Sequence, residues 1–259
     1  RLFQPSEPAK LVFIVTMAAV ISMYKGRIES GRDVAKIIAI AIVPFMLVAY
    51  EDLGTALVFF AVTMAMLLIG GLKARWFLVI ALVVTLGAGV VINSGVLAEY
   101  QMNRLLVFVD STLDPRGAGY NLEQSKIAIG SGELTGKGLG SGTQSNLNFL
   151  PERHTDFIFS VLGEELGFLG AVLLLGLYLA LLVTALEIAA SSRDHFGSLI
   201  GAGIIGMWTF QILQNAGMTV GLMPITGIPL PFMSFGSSFM ITNLMAVGML
   251  LSVWTRRYS

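Results

Sequence analysis

The run Phe149-Leu150-Pro151-Glu152-Arg153-His154-Thr155-Asp156-Phe157-Ile158-Phe159 sets five polar side chains directly against an apolar stretch. A carboxylate at Asp156, at the start of a helix, is held ionised by the positive end of the helix dipole. It can take a proton from a sugar hydroxyl presented at a membrane edge. The same spacing suits an ordinary Asp or Thr helix cap, and spacing alone does not separate the two readings. Glu164 and Glu165 follow two turns on, about 12 Å deeper at 1.5 Å per residue, where an ionised group needs a partner. They can meet a substrate, or pair with a basic group or backbone donor of a neighbouring helix.

Two glycine-rich stretches add further chemistry. Gln124-Ser125-Lys126 runs on to Gly130-Ser131-Gly132, Gly136-Lys137-Gly138 and Gly140-Ser141-Gly142-Thr143-Gln144. Exposed N–H groups together with Lys126 and Lys137 suit a diphosphate, although the spacing is not that of a nucleotide-binding P-loop and a flexible surface turn is the plainer reading. The segment from Gly221 to Ser238, with Pro224, Pro229 and Pro231, is too interrupted for one straight helix and too apolar for a solvated loop. Irregular backbone of that kind is either the wall of a lipid-accessible cleft or a tight hairpin between helices.

These residues must be carried by elements that live in a membrane. Hydrophobic residues make up 55% of the 259 positions and charged residues 12%, and the mean hydropathy is +0.81, values outside the range of a domain with a solvated surface. The apolar runs predict seven helices, over 9–24, 37–50, 53–72, 76–98, 157–189, 198–220 and 232–254, with the first two short enough to need interfacial flanks and a snorkelling Lys10. The fold class expected is therefore all-α: a polytopic transmembrane helix bundle forming one integral membrane domain over 1–259. Basic residues fall at alternate linkers, Lys25 to Lys36, Lys73 and Arg75, Arg193, then Arg256 and Arg257, which places those linkers inside. The long loop over 99–156, between the fourth and fifth helices, is then external and functional. A net charge of zero gives no surface for nucleic acid, while no cysteine and only two histidines leave no dedicated transition-metal site. No signal peptide is visible, and the chain is expected to be a piece of a longer protein.

Gln4-Pro5-Ser6-Glu7-Pro8-Ala9-Lys10, Asp52-Leu53-Gly54-Thr55-Ala56, Gly119-Tyr120-Asn121, Leu150 to Phe157, Gly163-Glu164-Glu165-Leu166-Gly167 and Pro229 to Ser234 occur in this order. In these motifs the chain resembles the SEDS family of bacterial cell-wall synthesis, and in Gln124-Ser125-Lys126, Gly136-Lys137-Gly138 and Gly142-Thr143-Gln144 it looks most like the elongation branch. The resemblance implies about ten membrane helices, some of them preceding Gln4. It also implies a peptidoglycan glycosyltransferase that polymerises lipid II at the outer face of the bacterial cytoplasmic membrane for elongation and rod shape.

By that resemblance Asp156 is the general base, acting with inversion, and Ser125, Lys126, Lys137, Gln144, Arg153, His154, Glu165 and Ser234 meet the substrate. A divalent cation, Mg or Mn, can assist the diphosphate, and a class B penicillin-binding protein is the implied partner. Glu51 stands where the family usually has proline, and Asn148 where many members carry an acid, so a scheme with two acids has no second carboxylate there. A lipid II transporter and a non-catalytic scaffold are the competing readings. The clustering of polar residues on the external side and the lack of an internal repeat favour chemistry at one face over transport.

Overall fold

The computed structural model describes residues 4–95, 98–147 and 149–257, so Asn148 lies outside the described residues. All of the predicted apolar segments form helices: α1 (Ser6–Ser22), α2 (Gly31–Ala49), α3 (Leu53–Ile69), α4 (Ala74–Asn93), α8 (Ile158–Ala190), α9 (His195–Thr219) and α10 (Ser237–Arg256). Between α4 and α8 lie α5 (Glu99–Val109), α6 (Ala118–Ser131) and the single turn α7 (Thr143–Asn146). The predicted loop is thus largely helical, and no strand occurs among the described residues. α4, α8, α9 and α10 are long and apolar enough to cross a bilayer, with α3 a shorter apolar helix.

Capping explains where several of these helices differ from the apolar runs. α2 begins at Gly31, six residues before its apolar run, because Ser30 Oγ accepts the Arg32 N–H at 3.2 Å and supplies the N-cap. Asp52 caps α3 by accepting the Thr55 N–H at 3.2 Å and the Thr55 hydroxyl at 2.6 Å, which accounts for the Asp-Leu-Gly-Thr sequence there. α10 starts at Ser237 rather than 232, since Pro229, Pro231 and a left-handed Phe232 (φ 62°) hold the preceding chain out of helix.

The chain divides into two compact units. In the unit formed by 1–97, 182–210 and 237–259, α1 packs on α2, α3 and α10, and α2 packs on α3. Its core includes Ile14, Met17, Ile21, Val62, Met66 and Leu67, all fully enclosed. Lys10 does not snorkel. Its side chain is 2% exposed and pairs at 2.7 Å with Glu7, 3% exposed, while lying 5.5 Å above the Phe239 ring. A buried counter-ion one turn away removes the reason to reach for water.

The other unit comprises 98–181 and 211–236. Val107 of α5, Leu122 of α6, Leu150, Phe157, Met218 of α9 and Ile225 form its core, each burial of this kind being worth about 1.5–3 kcal/mol. α8 breaks inside this unit at Gly167, whose φ of 64° and ψ of −163° are open only to glycine. A regular helix would bond the Phe168 and Leu169 N–H groups to the Glu164 and Glu165 carbonyls. Instead those N–H groups donate to Glu133 O (2.8 Å) and Leu134 O (3.1 Å), while the two carbonyls accept from Lys137 N (3.0 Å) and Gly138 N (2.9 Å). The glycine-rich segment is threaded into the break and supplies new partners for those two N–H groups and two carbonyls.

Candidate functional site

Asp156 lies in the second unit, in the turn just before α8, and is half-buried. The turn is made by Glu152, which adopts φ 52° and accepts the Thr155 and Phe157 N–H groups on its carbonyl. Three consecutive carbonyls are then each held: His154 O by Phe235 N (2.8 Å), Thr155 O by Ser234 Oγ (2.6 Å) and Asp156 O by Asn215 Nδ2 (2.8 Å). The carboxylate faces Gly227. A β-carbon there would stand 3.1 Å from Asp156 Oδ2 and 3.7 Å from Arg104 Nη1, so carboxylate and guanidinium flank the same glycine.

The wall around the carboxylate is the extended proline-rich segment 221–236. Its carbonyls are satisfied by side chains from the surrounding helices: Pro224 O by Gln214 Nε2 (2.8 Å), Thr226 O by Arg104 Nη1 (3.2 Å), Ile228 O by Asn215 Nδ2 (2.8 Å) and Pro231 O by the Tyr178 hydroxyl (2.5 Å). With a donor for each of these carbonyls, irregular backbone can sit beside apolar helices without stranded polar groups.

The predicted site residues fall into separate places. Arg153 and His154 stay beside Asp156, with Arg153 Nε donating to His154 Nε2 at 3.1 Å. Ser234 is buried and works inside the fold, donating to Thr155 O and accepting the Leu230 N–H at 2.7 Å. Ser125 is likewise fully buried, its hydroxyl shared between Ser160 Oγ and Thr219 O, both at 2.7 Å.

Lys126 is exposed, pairs with Glu123 at 3.1 Å and packs its chain near Gly221. Lys137 pairs with the fully buried Glu164 at 3.0 Å, and the same Glu164 oxygen accepts the Thr143 and Gln144 N–H groups at 2.6 and 2.9 Å. Of the two alternatives for Glu164, the structure selects pairing with basic and backbone donors. Glu165 beside it is half-buried, and its carbonyl is one of those taken by the threaded loop. Gln144 leaves its Oε1 buried without a hydrogen-bond partner among the described residues.

Sequence reasoning passed over Arg104, Asn215, Gly227 and Tyr178. The available signals were an arginine inside an otherwise apolar loop segment and an amide within an apolar helix. The donor set does not fit a resident divalent cation: no group of three or more His, Cys, Asp or Glu side chains gathers among the described residues, and a guanidinium lies across Gly227 from Asp156.

Residues 2–259 match the FtsW/RodA/SpoVE family, described as cell cycle protein. The chain belongs to this family. It is 40% identical to the peptidoglycan glycosyltransferase MrdB of Escherichia coli, over 98% of this chain and 69% of that protein. A solved peptidoglycan synthase complex, titled for its coordination of polymerization and crosslinking, contains a chain that superposes with a TM-score of 0.81 at 33% identity, covering 99% of this chain and 71% of that one. The crystal structure of the rod shape determining protein RodA of Thermus thermophilus superposes with a TM-score of 0.67 at 30% identity, over 99% and 67%. The all-α architecture is that of these relatives, and the chain is a multi-pass membrane protein of the bacterial peptidoglycan glycosyltransferase class.

Proposed function

We propose that this family member polymerises lipid II into glycan strands, with Asp156 as the general base. The observation that carries the reading is a half-buried carboxylate whose backbone is held at three successive carbonyls while its oxygen faces a glycine. Such a carboxylate can accept the proton of an acceptor sugar hydroxyl as that oxygen attacks the donor's anomeric carbon. The C–O bond to the diphosphate breaks with inversion, and the diphosphate leaves with the bonding pair. A diphosphate needs charge neutralisation rather than a proton, so one carboxylate suffices and the missing acid at 148 is no obstacle.

Arg104, across Gly227 from Asp156, and Arg153, three residues before it in the chain, are the first candidates to meet that charge. His154, Gln144, Glu165 and Lys126 line the approach in this reading, whereas Ser125, Ser234 and Lys137 shape it from within the fold. A divalent cation would arrive on the diphosphate as part of the substrate. The site faces outward from the cytoplasmic membrane, and a class B penicillin-binding protein is the partner that cross-links the product, by analogy with the synthase complex whose chain superposes on this one.

The test is polymerisation of lipid II by the full-length protein with its partner. Asp156→Ala should lower the rate on the order of 10²- to 10⁴-fold with expression intact. Polymerisation at the wild-type rate by that variant would remove Asp156 from the reaction.

A further inference from the structure

We infer that Asn215 is a positioning residue for the Asp156 carboxylate, an inference that rests on the general-base reading. Asn215 is fully buried in α9, where an amide is costly unless its hydrogen bonds are made. Its Nδ2 donates to Asp156 O and to Ile228 O, both at 2.8 Å, which engages both hydrogens of the amide. Its Oδ1 has no partner among the described residues, so the side chain's placement follows from the two carbonyls that Nδ2 holds.

Those carbonyls belong to the two segments whose spacing matters. One is the turn that carries the carboxylate. The other is the extended wall, where Ile228 directly follows Gly227, the residue whose Cα faces Asp156 Oδ2 and Arg104 Nη1. Ser234 and Phe235 already tie this turn to the wall at Thr155 O and His154 O; the Asn215 amide adds the bridge from Asp156's own carbonyl to the stretch of wall that faces the carboxylate.

The first helical donors, Ser160 N and Val161 N, both go to Phe157 O. Asn215, Ser234 and the Phe235 N–H hold the backbone carbonyls at 154–156. Removing the Asn215 amide frees Asp156 O and Ile228 O, the acid's own carbonyl and that of the residue after its facing glycine, while Ser234 and Phe235 still hold the turn at Thr155 and His154. Displacing a catalytic group by about 1 Å costs about 10²-fold in rate.

The experiment compares Asn215→Ala, Asn215→Ser and Asp156→Asn in the full-length protein with its partner. It reads lipid II turnover beside the stoichiometry and affinity of fluorescent lipid II binding, which reports the folded fraction. Asn215→Ala should bind at full stoichiometry, with affinity within about twofold of wild type, while turnover drops about 100-fold. Asn215→Ser keeps one donor and should lose about 10-fold; it carries the test if the alanine variant is not recovered folded. Turnover that is unchanged, or that falls only in proportion to binding stoichiometry, overturns the assignment. Activity retained by Asp156→Asn would instead overturn the general-base reading beneath it, and the two failures are distinguishable because each belongs to a different variant.

Discussion

At the residue scale, the candidate site sets a glycine directly against an acid. Gly227 adopts φ 73° and leaves 3.1 Å between its absent β-carbon and Asp156 Oδ2. Gly227→Ala would therefore strain the backbone and press a methyl against the carboxylate. We predict a loss of turnover on the order of 10²-fold, checked by the polymerisation assay with lipid II binding as the control; undiminished turnover would show that the carboxylate does not work against this wall. The two loop lysines should differ. Lys126 is an exposed partner of Glu123, so Lys126→Ala should leave the unfolding temperature unchanged, and any effect must appear in kinetics. Lys137→Ala takes the cation from the buried Glu164, leaving it hydrogen bonds without a counter-charge, and should lower the unfolding temperature itself, which a thermal melt separates from an effect on turnover.

At the element scale, the break in α8 and the segment threaded into it are one construction. Gly132, Gly136 and Gly167 are required because a β-carbon at each would lie 2.0 to 2.3 Å from backbone atoms of the opposing segment. Glu164 then latches the start of α7 through the Thr143 and Gln144 N–H groups and Lys137. Glu164→Ala should destabilise the protein by about 3 kcal/mol, the low end for a broken buried pair because Lys137 is 28% exposed. Limited proteolysis within 132–144 should accelerate accordingly, and an unchanged cleavage rate would deny the latch. A smaller pH effect belongs to α6. The Ser111 hydroxyl, and then Lys126, hold the Glu123 carboxyl below its ordinary range. This contribution is complete above the ordinary carboxylate pKa and is lost as the pH falls through the lowered value. Amide exchange near Ser111 and Glu123 should therefore rise on acidification below the ordinary range, while exchange in α8 stays slow.

At the scale of the whole molecule, topology can be tested cleanly because the sequence has no cysteine. Single cysteines at Thr135 and Glu152 should react with an impermeant maleimide on intact cells, and cysteines at Arg75 and Arg193 only after permeabilisation. The reverse pattern would turn the site to the cell interior and end the lipid II reading. α4 offers a second test, since none of its apolar stretch is buried within the chain. Exchanging Leu82 for another aliphatic residue should leave activity unchanged, whereas Leu82→Arg should oppose insertion by about 2.5–3.5 kcal/mol and reduce the membrane-integrated yield.

Much was legible before any coordinates. Apolar run length determined the helices, because about 20 residues of uninterrupted hydrophobic sequence have no other stable state in a bilayer. The polar run ending at Asp156 singled out that carboxylate as a candidate, because an acid at the edge of an apolar helix needs a reason to be there, but it did not separate a reacting acid from a helix cap. Ser30 and Asp52 as caps were also local facts, written within three residues of the groups they satisfy.

What only the tertiary structure decided were pairings between residues far apart in the chain. Asn215 meets Asp156 across 59 positions and Ser234 meets Thr155 across 79. Gly132 and Gly136 of the long loop serve close backbone approach to α8, a role that no local pattern distinguishes from a diphosphate cradle or a flexible turn. Hydropathy reports which residues leave water. It carries no information about which buried donor finds which buried carbonyl, and at this site those matches set where the acid stands.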